Sequence, residues 1–125
     1  MARILIAEDE ESLRKLVARA LTQDGHEVLA CADGGEALDT LMRENGRFDL
    51  LLTDIRMPVM DGIALALAAS RDYPELTIVL MTGYADQRER AHGLEALIRD
   101  IVTKPFTLGE IRDVVKGALT ARVLS

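Results

Sequence analysis

The chain has no tryptophan, and Phe48, Tyr73, Tyr84 and Phe106 are its only aromatic residues, so Leu, Ile, Val, Ala and Met must build the core. Cys31 is the single cysteine, which excludes an internal disulfide and a cysteine-rich zinc site. A reducing, cytoplasmic setting is expected. No apolar run approaches the roughly 18 to 20 residues of a membrane span, and the N-terminus lacks a charged region followed by an apolar signal core. A soluble protein with no membrane partner follows. With 15 basic residues against 21 acidic ones, the net charge of -6 argues against unaided binding to nucleic-acid phosphates. No internal repeat, low-complexity tract or linker interrupts the 125 residues, so residues 1–125 are expected to form one domain with no output domain.

What is present is alternation. An apolar strand over 3–7 leads into a segment where Leu13, Leu16, Val17, Ala20 and Leu21 fall on one helix face. A short strand over 26–31 precedes Asp33-Gly34-Gly35-Glu36, the signature of an N-cap, and a second helix to about residue 45. The pattern repeats with a strand over 49–53, a helix over about 62–71, a strand over 76–81, a polar helix over about 86–95 and a strand near 101–103. Thr107 and Glu110 match a capping box for the last helix, in which Ile111, Val114, Val115, Ala118 and Leu119 mark the buried face. Five strands alternating with five helices predict an α/β fold with right-handed crossovers and a parallel sheet covered on both sides.

In such a sheet the ligand crevice lies beyond the C-terminal strand ends. The first strand ends in Glu8-Asp9 and the third in Asp54, so three carboxylates are delivered to one edge. Carboxylates about 4 Å apart repel by roughly 4 kcal/mol at an effective dielectric near 20, so a shared crevice requires a cation. Mg²⁺ suits Glu8, Asp9 and Asp54, because it takes oxygen ligands and leaves positions for water and phosphate. The alternative reading is that Glu8 and Asp9 cap the first helix. A carboxylate beside Mg²⁺ can attack a phosphoryl group if the charge on the equatorial oxygens is neutralised. Thr82 offers a hydroxyl at the fourth strand end and Lys104 an ammonium at the fifth. Pro105 pushes Lys104 toward extended backbone and is able to sit in a cis bond. Pro58 and Gly62 bend the chain after Asp54, turning a carbonyl near Arg56 toward the metal; an ordinary strand-to-helix turn would use the same residues.

Glu8-Asp9, Asp54 followed by Met57-Pro58-Val59-Met60-Asp61-Gly62, Thr82-Gly83 and Lys104-Pro105-Phe106 together resemble the receiver domain of bacterial two-component response regulators, of the stand-alone type. The resemblance spans nearly the whole chain and implies a flavodoxin-like three-layer sandwich with strand order 2-1-3-4-5. It implies that Asp54 accepts a phosphoryl group from a histidine kinase or histidine phosphotransfer protein. It further implies that Asp9, Asp54 and the Arg56 backbone carbonyl hold Mg²⁺, with Glu8 assisting through water, while Lys104 pairs with the phosphoryl oxygens. Thr82 becomes the switch, and Arg56 and Tyr84 flank the route of attacking water and set the lifetime of the phosphorylated state. Receivers usually place an aromatic residue three positions before the lysine. Here it is Ile101, and Tyr84 is the candidate substitute. Leu97-Ile98-Arg99-Asp100 replaces the usual small-residue turn, which predicts an unusually shaped exit from the fourth helix.

The expected role is a phosphoacceptor that modifies only itself and is not otherwise an enzyme, read by an unidentified downstream protein; the resemblance also admits a homodimer. A receiver piece of a larger transcriptional regulator or hybrid kinase is the alternative. A Mg²⁺-dependent aspartyl-phosphate phosphatase is weaker, because such enzymes commonly carry an acid where Arg56 stands, and a receiver that has lost phosphorylation is argued against by the full residue set. Cys31 reads as a small core residue, and His26 and His92 show no ligand spacing.

Overall fold

The computed structural model describes residues 1–83, 91 and 93–124. Five strands, β1 (Arg3–Ala7), β2 (Glu27–Cys31), β3 (Leu50–Asp54), β4 (Thr77–Thr82) and β5 (Asp100–Thr103), form one parallel sheet in the order β2-β1-β3-β4-β5. Among the described residues there are four helices: α1 (Glu11–Gln23), α2 (Gly34–Arg43), α3 (Gly62–Asp72) and α4 (Leu108–Leu124). The sheet is the covered parallel one that the alternation predicts, and its order makes the flavodoxin-like sandwich that the resemblance implies. The fourth predicted helix, about 86–95, falls largely on residues outside the description. Residues 93–97 form hydrogen-bonded turns rather than helix, with Leu97 N–H donating to the Leu94 carbonyl at 2.8 Å.

The period of a strand sorts its side chains into two cores. Leu5, Ala7, Leu51, Ile78 and Leu80 face one side, where α2 and α3 supply Ala37, Leu41, Leu65 and Ala69. Ile4, Ile6, Leu50, Leu52, Val79 and Met81 face the other, where α1 and α4 supply Val17, Leu21, Ile111 and Val115. Every residue of β3 is buried, as an apolar strand covered on both faces must be. Cys31 belongs to the first core, its Sγ 3.6 Å from the Thr40 hydroxyl.

The helix starts follow their capping residues. Asp33 accepts the Glu36 N–H at 2.8 Å, and Thr107 and Glu110 exchange two bonds of 3.0 Å each. Asp61 caps α3 by accepting the Ala64 N–H at 2.9 Å. Helix α1 differs, since its N-cap Glu10 makes no side-chain cap bond. Glu8 and Asp9 are thus not at the cap position, although Glu8 Oε2 accepts the Glu10 N–H at 3.2 Å.

From β1 the chain goes outward to β2 and returns to β3 on the other side of β1. Strand order therefore reverses between β1 and β3, which is where a doubly wound sheet opens a crevice beyond its strand ends. Ala7 pairs with Thr53, Asp54 with Met81, and Thr82 with Thr103. This register sets Glu8, Asp54, Thr82 and Lys104 in a row across four adjacent strand ends.

Candidate phosphoacceptor site

Lys104 is the link across the crevice. Its Nζ donates to Glu8 Oε1 at 2.7 Å and to Asp54 Oδ2 at 2.9 Å, so one ammonium serves two carboxylates from two other strands. The second Asp54 oxygen, Oδ1, accepts the N–H of Ile55 at 2.8 Å. Asp9 is exposed at the mouth, and one carboxylate oxygen from each of Glu8, Asp9 and Asp54 lies within 4.8 Å of the others. Thr82 is fully buried, and its hydroxyl has no hydrogen-bond partner among the described residues.

Burial dominates the electrostatics. It pushes the Glu8 carboxyl up to about 7, with the Asp54 charge adding to the rise and the Lys104 hydrogen bond pulling against it. For Lys104, burial pulls down, but the bonds to Glu8 and Asp54 outweigh it and leave the ammonium above its ordinary value. Lys104 bonds the two buried carboxylates, while the third, Asp9, is exposed in the same cleft. Three carboxylates whose oxygens lie this close together fit a hard divalent cation such as Mg²⁺.

The turn after Asp54 is shaped by two close approaches. The Gly62 N–H donates to the Ile55 carbonyl at 2.7 Å, and a Cβ at Gly62 would run into the carbonyl of Asp54. Between them, the Met60 N–H donates to the Pro58 carbonyl at 2.7 Å around Val59, whose φ is +69°. This is a γ-turn of the strained hand, and Val59 is a β-branched residue at its centre.

Glu8, Asp9, Asp54, Arg56, Lys104 and Pro105 all line a cleft of about 540 Å³. Arg56 is exposed there, and the Lys104–Pro105 peptide is cis. Ile101 is half-buried against the α2–α3 core, with two strand residues, Val102 and Thr103, between it and Lys104. Tyr84 and His92 lie outside the described residues. His26 is remote from the site, its Nδ1 accepting the Ala2 N–H at 3.1 Å. Sequence reasoning missed Arg14, which reads as one more charge on a solvated helix face. Its guanidinium donates to the carbonyl oxygens of Glu8 at 2.9 Å and Asp9 at 3.5 Å.

The sequence matches the response regulator receiver domain family over residues 4–116. It is 36% identical to the response regulator receiver protein CpdR of Brucella abortus, over 97% of this chain and 99% of that protein. It is 34% identical to the transcriptional regulatory protein TcrA of Mycobacterium tuberculosis over 87% of this chain, but spans only 42% of that relative's length. Among solved structures, a CheY-like response regulator receiver domain protein from Methanospirillum hungatei superposes with a TM-score of 0.88 at 30% identity, covering 98% of this chain and 96% of that one. TrrA of Thermotoga maritima, solved in complex with Mg²⁺ and BeF, gives 0.83 at 30% identity, covering 94% of this chain and 99% of that one. With its doubly wound sheet and acidic strand-end cluster, this chain belongs to the response regulator receiver domain family.

Proposed function

We propose that the chain is a phosphoacceptor switch: Asp54 takes a phosphoryl group from a phosphohistidine on a kinase or phosphotransfer protein, and a downstream protein reads the modified state. The observation that carries this reading is the bridge from Lys104 to both Asp54 and Glu8, which sets a positive charge against the Asp54 carboxylate. An Asp54 oxygen forms the new P–O bond as the P–N bond breaks, and the leaving imidazole keeps the electron pair. Lys104 then moves from the Asp54 carboxylate to the phosphoryl oxygens, where the charge has gone. The Thr82 hydroxyl, without a partner among the described residues, gains an acceptor on the phosphoryl group.

Asp9, Asp54 and the Arg56 carbonyl would hold Mg²⁺, with Glu8 assisting through water, and the ion would supply charge neutralisation for the transferring group. The Mg²⁺–BeF complex of the Thermotoga relative supports this assignment. Arg56, at the cleft wall, sets access of water to the acyl phosphate and so the lifetime of the signal. The chain turns over no external substrate in this reading. Coverage of the Brucella relative almost end to end supports a single-domain adaptor. The relatives of which this chain spans less than half support the second reading, a receiver segment of a larger regulator.

Incubation with acetyl phosphate and Mg²⁺ should add one phosphoryl mass to the intact protein, labile in base. Asp54→Asn should abolish the gain. No gain in the wild type, or an equal gain in Asp54→Asn, overturns the assignment.

A further inference from the structure

We propose that Arg14 is a positioning residue for the metal-binding turn, acting through the backbone of the two acidic residues at the end of β1. This inference rests on the phosphoacceptor reading and assigns it a residue that spacing does not reveal. The turn from Glu8 to Glu10 is held on its N–H side by ordinary means: Glu8 N–H donates to the Cys31 carbonyl at 3.0 Å, and Glu10 N–H to Glu8 Oε2 at 3.2 Å. Its carbonyl side has no strand or helix to pair with, because both residues precede the N-cap of α1.

One nitrogen of the Arg14 guanidinium, Nη1, donates to both carbonyls, at 2.9 Å to Glu8 and 3.5 Å to Asp9, from the first turn of the same helix. The planar guanidinium fixes the directions of the two N–H bonds on that nitrogen, whereas a lysine ammonium is a rotating point charge. The consecutive peptide units thus have a fixed orientation, and so do the Cα–Cβ bonds of Glu8 and Asp9. One of those carboxylates is buried against Lys104 and the other stands at the mouth. Groups that orient ligands from behind in this way commonly control metal affinity, by about tenfold or more when removed.

The sign of the effect separates this role from a simple electrostatic one. Arg14 is a positive charge beside a cation site, so if charge were all it contributed, Arg14→Met would tighten Mg²⁺ binding and Arg14→Lys would leave it unchanged. Positioning requires the opposite: both variants bind more weakly, Arg14→Met by about tenfold and Arg14→Lys by a smaller factor.

The experiment is calorimetric titration of wild type, Arg14→Met and Arg14→Lys with Mg²⁺. Beside it, the rate of phosphorylation by acetyl phosphate is measured as Mg²⁺ is raised to saturation. The expected result is a higher Mg²⁺ requirement with a saturated rate within about twofold of wild type, because the reacting residues are untouched. If Arg14→Met lowers the melting temperature too far for titration, Arg14→Lys alone decides, since it keeps the charge and an aliphatic stem and loses the planar donor group with its fixed N–H directions. Unchanged or tighter binding in Arg14→Lys overturns the inference while leaving the phosphoacceptor reading in place. A wild type that neither binds Mg²⁺ nor gains phosphoryl mass sinks that reading and this inference with it.

Discussion

Glu8 shows what burial costs a carboxylate once it ionises. A carboxyl whose native value of about 7 lies above its unfolded 4.5 holds more protons folded than unfolded. The stability it contributes is therefore complete below about pH 4.5 and is lost as pH rises through about 7. Metal-free protein should be less stable to urea at pH 8 than at pH 5.5, and Glu8→Gln should flatten that part of the difference, since an amide has no proton to lose. An equal slope in both proteins would show that other groups carry the dependence. Val59 is the converse case, a residue strained without being buried: it is 86% exposed at φ +69°. Val59→Gly should stabilise by about 0.5–1 kcal/mol, the left-handed penalty of an L-residue less the extra chain entropy of glycine. The Val59 side chain lies against Gly35 in the first turn of α2, and a fall in the urea midpoint would mean that this packing outweighs the strain.

Each helix that carries a sequence cap starts where its cap places it. Thr107→Ala removes one half of the reciprocal pair at α4 and should cost about 1 kcal/mol, read as a lower urea midpoint at unchanged slope. Caps and period were legible because they are local: Asp33-Glu36 and Thr107-Glu110 satisfy their own backbone within four residues, and the strand runs show their burial directly. Boundaries slipped by one residue at β3 and β4, each strand running one position further toward the crevice than the apolar pattern suggests. The reason is that Asp54 and Thr82 are polar yet still pair with their neighbours in the sheet. The same locality explains what was missed. Arg14 acts by reaching back over a turn that has no pattern of its own, and no periodicity distinguishes a charge that reaches back from one that points to water. The Asp–Pro–Gly spacing after residue 54 revealed a turn, but not the strained γ-turn at Val59, which a β-branched side chain argues against.

The bridge at Lys104 spans the whole chain, joining residues 96 and 50 positions apart and so tying the edge strand β5 to β1 and β3. A domain of this size is stable by only about 5–15 kcal/mol, so a single buried bridge is a visible part of the total. Breaking a buried ion pair by deleting one partner typically costs about 3–5 kcal/mol, because the other charge is left without compensation. Here Glu8 can take up a proton near neutral pH, which relieves part of that cost, so Lys104→Met should destabilise metal-free protein by about 3 kcal/mol, at the low end of the range. The same substitution removes the competitor that occupies Glu8 and Asp54. Mg²⁺ should therefore bind the variant more tightly than wild type, and a saturating concentration should recover more stability in the variant, as linkage requires of a ligand that binds only the folded state. Urea denaturation of both proteins with and without Mg²⁺ measures all four corners of this cycle. Equal stabilisation of wild type and variant by the metal would show that the lysine and the cation do not share their carboxylates.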